Sequence, residues 1–112
     1  MTFSQIATMV RNIGLPYAYY QFDETGQAPP FICFYFSENN DAIADNTNYQ
    51  KIEQLIVELY TRNKDFALEA TVERVLNESG LVYSRNEVYI NDEKMYQVAY
   101  TADVLIHEED SE

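Results

Sequence analysis

Residues 49–61, YQKIEQLIVELYT, decide the fold, because they can be read in two ways. As a helix, they would line Ile52, Leu55, Ile56 and Leu59 along one face. As a strand, they would alternate Leu55, Val57 and Leu59 with Gln54, Ile56, Glu58 and Tyr60. The second half, Ile56 to Thr61, is dense in β-branched and aromatic side chains, which suit a pleated, half-buried surface. The stretch is therefore read as a strand. Its first half, before Gln54, is more polar and free to project beyond the sheet.

Working outward from this strand, residues 31–36 (FICFYF) are continuously apolar, as expected of a strand covered on both faces. Between the two strands, residues 37–48 hold clusters of Asn and Asp around Ala42-Ile43-Ala44 and read as a long polar loop. Upstream, Tyr17 to Phe22 reads as an aromatic strand, and Pro29-Pro30 stiffens the approach to 31–36. The chain opens with a helix over about residues 3–13. Thr2 and Gln5 have capping-box spacing, and Phe3, Ile6, Val10 and Ile13 form an apolar stripe. Gly14 and Pro16 then stop the helix.

Downstream, Asp65 is an N-cap for a second helix, with Glu69 near its positive end. Leu68, Val72, Val75 and Leu76 form its buried stripe, and Gly80 with Leu81 fits a Schellman ending. Strands near 82–90 and 95–106 follow, joined through Asn91-Asp92-Glu93-Lys94 as a hairpin. On the last strand Tyr96, Val98, Tyr100, Ala102, Val104 and Ile106 alternate with more polar residues, so one face is buried. The expected fold is α+β: a mostly antiparallel sheet of four to five strands, with two helices packed on one face. Residues 1–106 form a single domain, and the acidic stretch 107–112 is expected to be disordered.

Charge is the loudest compositional signal. Nineteen acidic residues against seven basic ones give a net charge of −12. Binding to a phosphate backbone needs clustered Lys and Arg, whereas Arg11, Arg62, Arg74 and Arg85 are scattered. Direct nucleic-acid binding and attraction to an anionic membrane are both disfavoured. No apolar run approaches the roughly 20 residues that span a bilayer, and the N-terminus lacks a signal-peptide pattern. The expected place of folding is a cytoplasm.

Residues that could carry chemistry are few. Cys33 is the only cysteine and lies in an apolar run, which makes it a small buried hydrophobe rather than a nucleophile. The only histidine, His107, borders the acidic tail. Glu69 and Glu73 lie four apart and share a helix face, which is read as the solvated side of an amphipathic helix. Asp41, Asp45 and Asn46 could offer oxygens to calcium but lack EF-hand spacing. No catalytic, metal or cofactor residues are assigned, and none is expected. What remains is the aromatic content: ten tyrosines and six phenylalanines. Tyrosine suits interfaces because it buries apolar area and keeps a polar tip. In the cluster Tyr17, Tyr19, Tyr20, strand alternation must leave at least one ring on the less buried face. Several exposed together would point to assembly.

Gly14-Leu15-Pro16-Tyr17-Ala18-Tyr19, Pro29-Pro30-Phe31-Ile32, Ile56-Val57-Glu58-Leu59-Tyr60-Thr61, Lys64-Asp65 and Glu69 resemble small proteins of tailed phages and prophages of Gram-positive bacteria. These are the tail-terminator or tail-completion proteins of long-tailed phages, and the resemblance covers roughly residues 3–106. It implies a sheet flanked by helices, assembled as a homohexameric ring in the virion tail. Such a ring caps the major tail tube protein and meets the head–tail connector. It would be built in the host cytoplasm, and acidic residues facing its lumen would let DNA pass without adhering. The 37–48 loop and the start of the 49–61 strand are expected to touch neighbouring subunits. The competing expectation is an acidic adaptor or inhibitor that binds a basic protein.

Overall fold

The computed structural model describes residues 1–23, 26–37 and 50–107. Most of the polar 37–48 loop, its calcium-candidate residues and the acidic tail beyond His107 lie outside the described residues. Two helices, α1 (Phe3–Arg11) and α2 (Phe66–Glu78), accompany five strands: β1 (Tyr17–Tyr19), β2 (Phe31–Phe36), β3 (Gln50–Thr61), β4 (Tyr83–Ile90) and β5 (Met95–His107). The strands make one sheet in the order β1-β2-β3-β5-β4. Only the short β1–β2 pair is parallel. The architecture is α+β.

The 49–61 stretch is strand from Gln50 to Thr61 and pairs with β5 along its whole length, from Gln50 opposite His107 to Thr61 opposite Tyr96. Tertiary pairing settles its ambiguity, since each backbone group gains a partner across the ribbon. β2 reaches only to Leu55 of β3, and β4 only to Ala102 of β5. The ribbon formed by 50–54 and 103–107 therefore extends past both neighbouring strands, as its polar composition suggested.

Register assigns every side chain to a face. Ile32 and Phe34, Leu55, Val57 and Leu59, and Val98, Tyr100, Ala102, Val104 and Ile106 fall on one face and are buried there. Ile6, Met9 and Val10 from α1, Ile13 just after it, and Val72, Val75 and Leu76 from α2 complete the same core. Both helices thus cover one face, and among the described residues no helix or strand covers the other. Consequently β2 is less covered than its unbroken apolar run implied: Phe31 and Tyr35, on the open face, are half-buried.

Local signals act as anticipated at most ends. Thr2 and Gln5 form the capping box, and the Asp65 carboxylate accepts from the Leu68 amide. The Gly80 amide donates to the Asn77 carbonyl at 3.0 Å and the Leu81 amide to the Leu76 carbonyl at 3.1 Å, the paired bonds of a Schellman ending. The β4–β5 turn closes with the Lys94 amide 2.7 Å from the Ile90 carbonyl.

Two boundaries and one face differ from expectation. α1 ends at Arg11, and Asn12 and Ile13 form a tighter turn before Gly14. β1 stops at Tyr19 because Tyr20 takes a φ of 72°, which turns the chain off the sheet edge. Glu69 is not on a solvated face: it is 5 % exposed. Arg85 and Glu87 of β4 lie on the helix side of the sheet, opposite Tyr100 and Val98. Arg85 reaches Glu69 and Glu73 in the first turns of α2 and narrows its wet side.

Gly80 has a φ of 82°, and a Cβ there would meet no atom within 4 Å. The cost of Gly80→Ala is then conformational alone, about 1–2 kcal/mol. Urea unfolding should show a lower midpoint with an unchanged slope.

Candidate interaction surface

The helix-free face is built from the odd positions of β2 and the even positions of β3, with their β5 and β4 partners. It carries Phe31, Cys33 and Tyr35, then Ile52, Ile56, Glu58 and Tyr60, then Gln97, Ala99 and Leu105, and Val88 at the far edge. Ile52 is 64 % exposed and stands directly opposite exposed Leu105 on the projecting ribbon. Val88 is exposed as well. Isolated exposed apolar residues need no explanation, but several on one face make that face a candidate interaction surface.

Aromatic rings dominate the β1–β3 side of this face. Tyr20 meets Tyr35 edge-on at 5.3 Å, Phe22 meets Phe31 at 5.3 Å, and Phe31 stacks on Tyr60 at 4.8 Å. Tyr20 is 61 % exposed and sits in a tight turn, with the Gln21 amide donating to the Tyr19 carbonyl at 2.8 Å. A bulky residue at positive φ stores backbone strain, of the kind that concentrates at binding sites. Tyr17 and Tyr19 are exposed on the other side of the same edge. All three tyrosines of the cluster are therefore accessible together.

Glu58 lies at the centre of the aromatic region, between Cys33 of β2 and Ala99 of β5. It is 9 % exposed although no helix covers it. The Tyr35 hydroxyl donates to its Oε2 at 2.9 Å and the Tyr60 hydroxyl to its Oε1 at 2.7 Å. Gln97 Nε2 donates in turn to the Tyr60 oxygen at 2.8 Å. Burial, then the hydrogen bond to Glu58, raises the Tyr35 phenol to about 12. The same causes raise Tyr60. Burial and the Glu58 charge lift the Cys33 thiol to about 11. Cys33 is thus a buried thiol with little thiolate character, as its apolar setting predicted.

A second charged cluster lies on the helix side. Lys64 Nζ contacts Glu69 at 2.6 Å and Glu87 at 2.7 Å, while Arg85 contacts Glu69 at 2.8 Å and Glu87 at 3.1 Å. The Tyr100 hydroxyl donates to Glu73 at 2.8 Å. Hydrogen bonds from Lys64 and Arg85 hold Glu87 below the usual carboxylate range. This network fastens α2 to β4 and β5. Glu69→Ala would remove the buried member of this network while Lys64 and Arg85, partly exposed, keep Glu87, so urea unfolding should show a loss of about 1–3 kcal/mol.

Among the described residues no group of three or more His, Cys, Asp or Glu is placed to hold a metal ion, and no helix is long and apolar enough to cross a membrane. His107 ends β5, its amide donating to the Met1 carbonyl. Sequence reasoning did not single out Glu58; its position opposite Cys33 follows only from register. No family model matches the chain, and no curated protein does.

The Tyr35 proton is held more tightly in the folded chain than at the ordinary value of 10. Its contribution to stability is complete below pH 10 and is lost as pH rises through about 12. Urea midpoints measured across that window should fall, and Tyr35→Phe should flatten the fall.

Proposed function

We propose that this chain is a structural subunit of a phage virion, a tail terminator or tail-completion protein that works by docking to protein neighbours. The observation that carries this reading is the helix-free face, where Tyr20, Ile52, Val88 and Leu105 are exposed from one end of the sheet to the other. A small domain gains stability by covering such a face with another subunit.

Ring assembly fits the ends of the sheet. β1 and β4 are its two edges, and among the described residues neither has a second strand partner. Edges of different sequence at opposite ends suit a head-to-tail contact, which closes into a ring when the rotation allows. The homohexamer, the tail tube and the head–tail connector as partners, and the virion tail as location follow from the sequence resemblance. The acidity supports a lumen that repels DNA. Ser37, Gln50 and His107 all lie toward one end of the sheet. The acidic stretches that follow Ser37 and His107 in the sequence therefore attach at that end.

Size-exclusion chromatography with light scattering tests the reading: a species of six times 13.1 kDa is expected, alone or on assembled tail tubes. Ile52→Asn should weaken assembly while changing the stability of the free subunit by no more than about 0.5 kcal/mol, because the side chain is exposed. A strict monomer that ignores tail tubes and binds a basic protein in a salt-sensitive way would replace this reading with the acidic adaptor.

A further inference from the structure

We infer that Glu58 and the two tyrosines holding it are the recognition point for an arginine side chain of the protein that docks on the helix-free face. This rests on the docking reading of that face and names the chemistry its partner must bring.

Among the described residues two carboxylates are buried, and they are treated differently. Glu69 is neutralised by Lys64 and Arg85. Glu73, Glu78 and Glu87 also have cations within 4 Å. Glu58 has none among the described residues; its hydrogen-bond partners are two neutral phenols. Phenols orient and stabilise a carboxylate but leave its charge in place. A nearly buried charge without a counter-ion is costly, and its cost falls when a partner supplies the opposite charge.

The geometry of acceptance points to a guanidinium. An ionised carboxylate has about four acceptor positions. Tyr35 takes one on Oε2 and Tyr60 one on Oε1. That leaves one position on each oxygen, which matches the two parallel N–H groups of an arginine fork. The donation from Gln97 to Tyr60 fixes that phenol and keeps the carboxylate aligned. Small side chains flank Glu58 on both neighbouring strands, Cys33 and Ala99, so no bulky group stands across from it. Beyond them the Phe31–Tyr60 stack and the Tyr20–Tyr35 pair offer ring faces. A planar, weakly hydrated guanidinium stacks on such rings, whereas a lysine ammonium is more strongly hydrated and makes no fork.

Titrating the monomeric full-length chain with hexa-arginine tests this, with Ile52→Asn used to keep the chain monomeric if it assembles. Saturable shifts are expected in the Glu58 carboxyl and the Tyr35 and Tyr60 ring resonances. Glu58→Gln, which keeps the shape of the side chain, should weaken binding about tenfold, and hexa-lysine should bind more weakly than hexa-arginine. Glu78→Gln, on the outer face of α2, measures the general pull of an acidic protein and should change affinity less than about twofold. Equal losses for the two variants, or shifts that avoid Tyr35 and Tyr60, would overturn the inference. If Glu58→Gln fails to fold by circular dichroism, the resonance map of the parent chain decides alone. A chain that never assembles yet takes hexa-arginine at this point keeps the inference and removes the ring; a hexamer whose monomer shifts elsewhere does the reverse.

Discussion

Pairing between β3 and β5 is the constraint from which the rest of the molecule follows. The two strands run antiparallel over twelve residue pairs, and every other element is placed relative to them. β2 and β4 add to the outer edges of this ribbon, and β1 adds to β2. Because side chains alternate across a strand, one register fixes which residues are buried. It puts Leu55, Val57 and Leu59 beside Ala102, Tyr100 and Val98, and α1 and α2 close over them. A slip by one residue would bring Glu58 and Gln54 under the helices instead, so the pattern of the sequence enforces the pairing that the backbone permits.

The same register creates the asymmetry between the two faces. The helix side receives two layers of apolar side chains and a satisfied ion network. The other side receives aromatic rings, exposed aliphatic residues and one carboxylate held by phenols. In a chain of net charge −12, cations are scarce, and the fold uses Lys64 and Arg85 where α2 meets β4. What is left for the open face is neutral hydrogen bonding, which holds Glu58 in position without cancelling its charge. Scarcity of cations within the chain and the place left for one from outside are then two aspects of a single charge balance.

Much of the fold is legible in the residues. The capping box at Thr2 and Gln5, the Asp65 cap and the Gly80 ending are local events within a few residues, so short-range chemistry suffices to read them. The alternation of β5 is equally plain. Less legible are features in which distant elements meet. Glu69 and Glu73 have the spacing of an ordinary wet helix face, and nothing local says that β4 will bring Arg85 against them. Tyr20 continues an aromatic run that looks like strand, yet the chain turns there at a φ of 72°. The helix-free face was legible only as an excess of tyrosine, without a position in space.

By itself, then, the sequence determined the element types, their order and the class of the fold, because periodicity and capping act over one to four residues. It also determined the acidity and the scatter of the basic residues along the chain. The β-branched and aromatic content of 56–61 already favoured strand, and the tertiary structure decided that it runs along the whole of 50–61, where β5 supplies a partner. The tertiary structure alone decided how far the opposite face stays open, and that Glu58 comes to lie between Cys33 and Ala99. Those outcomes depend on residues some twenty-five and forty positions apart in the chain, and contacts at that separation are fixed by packing and register, not by local preference.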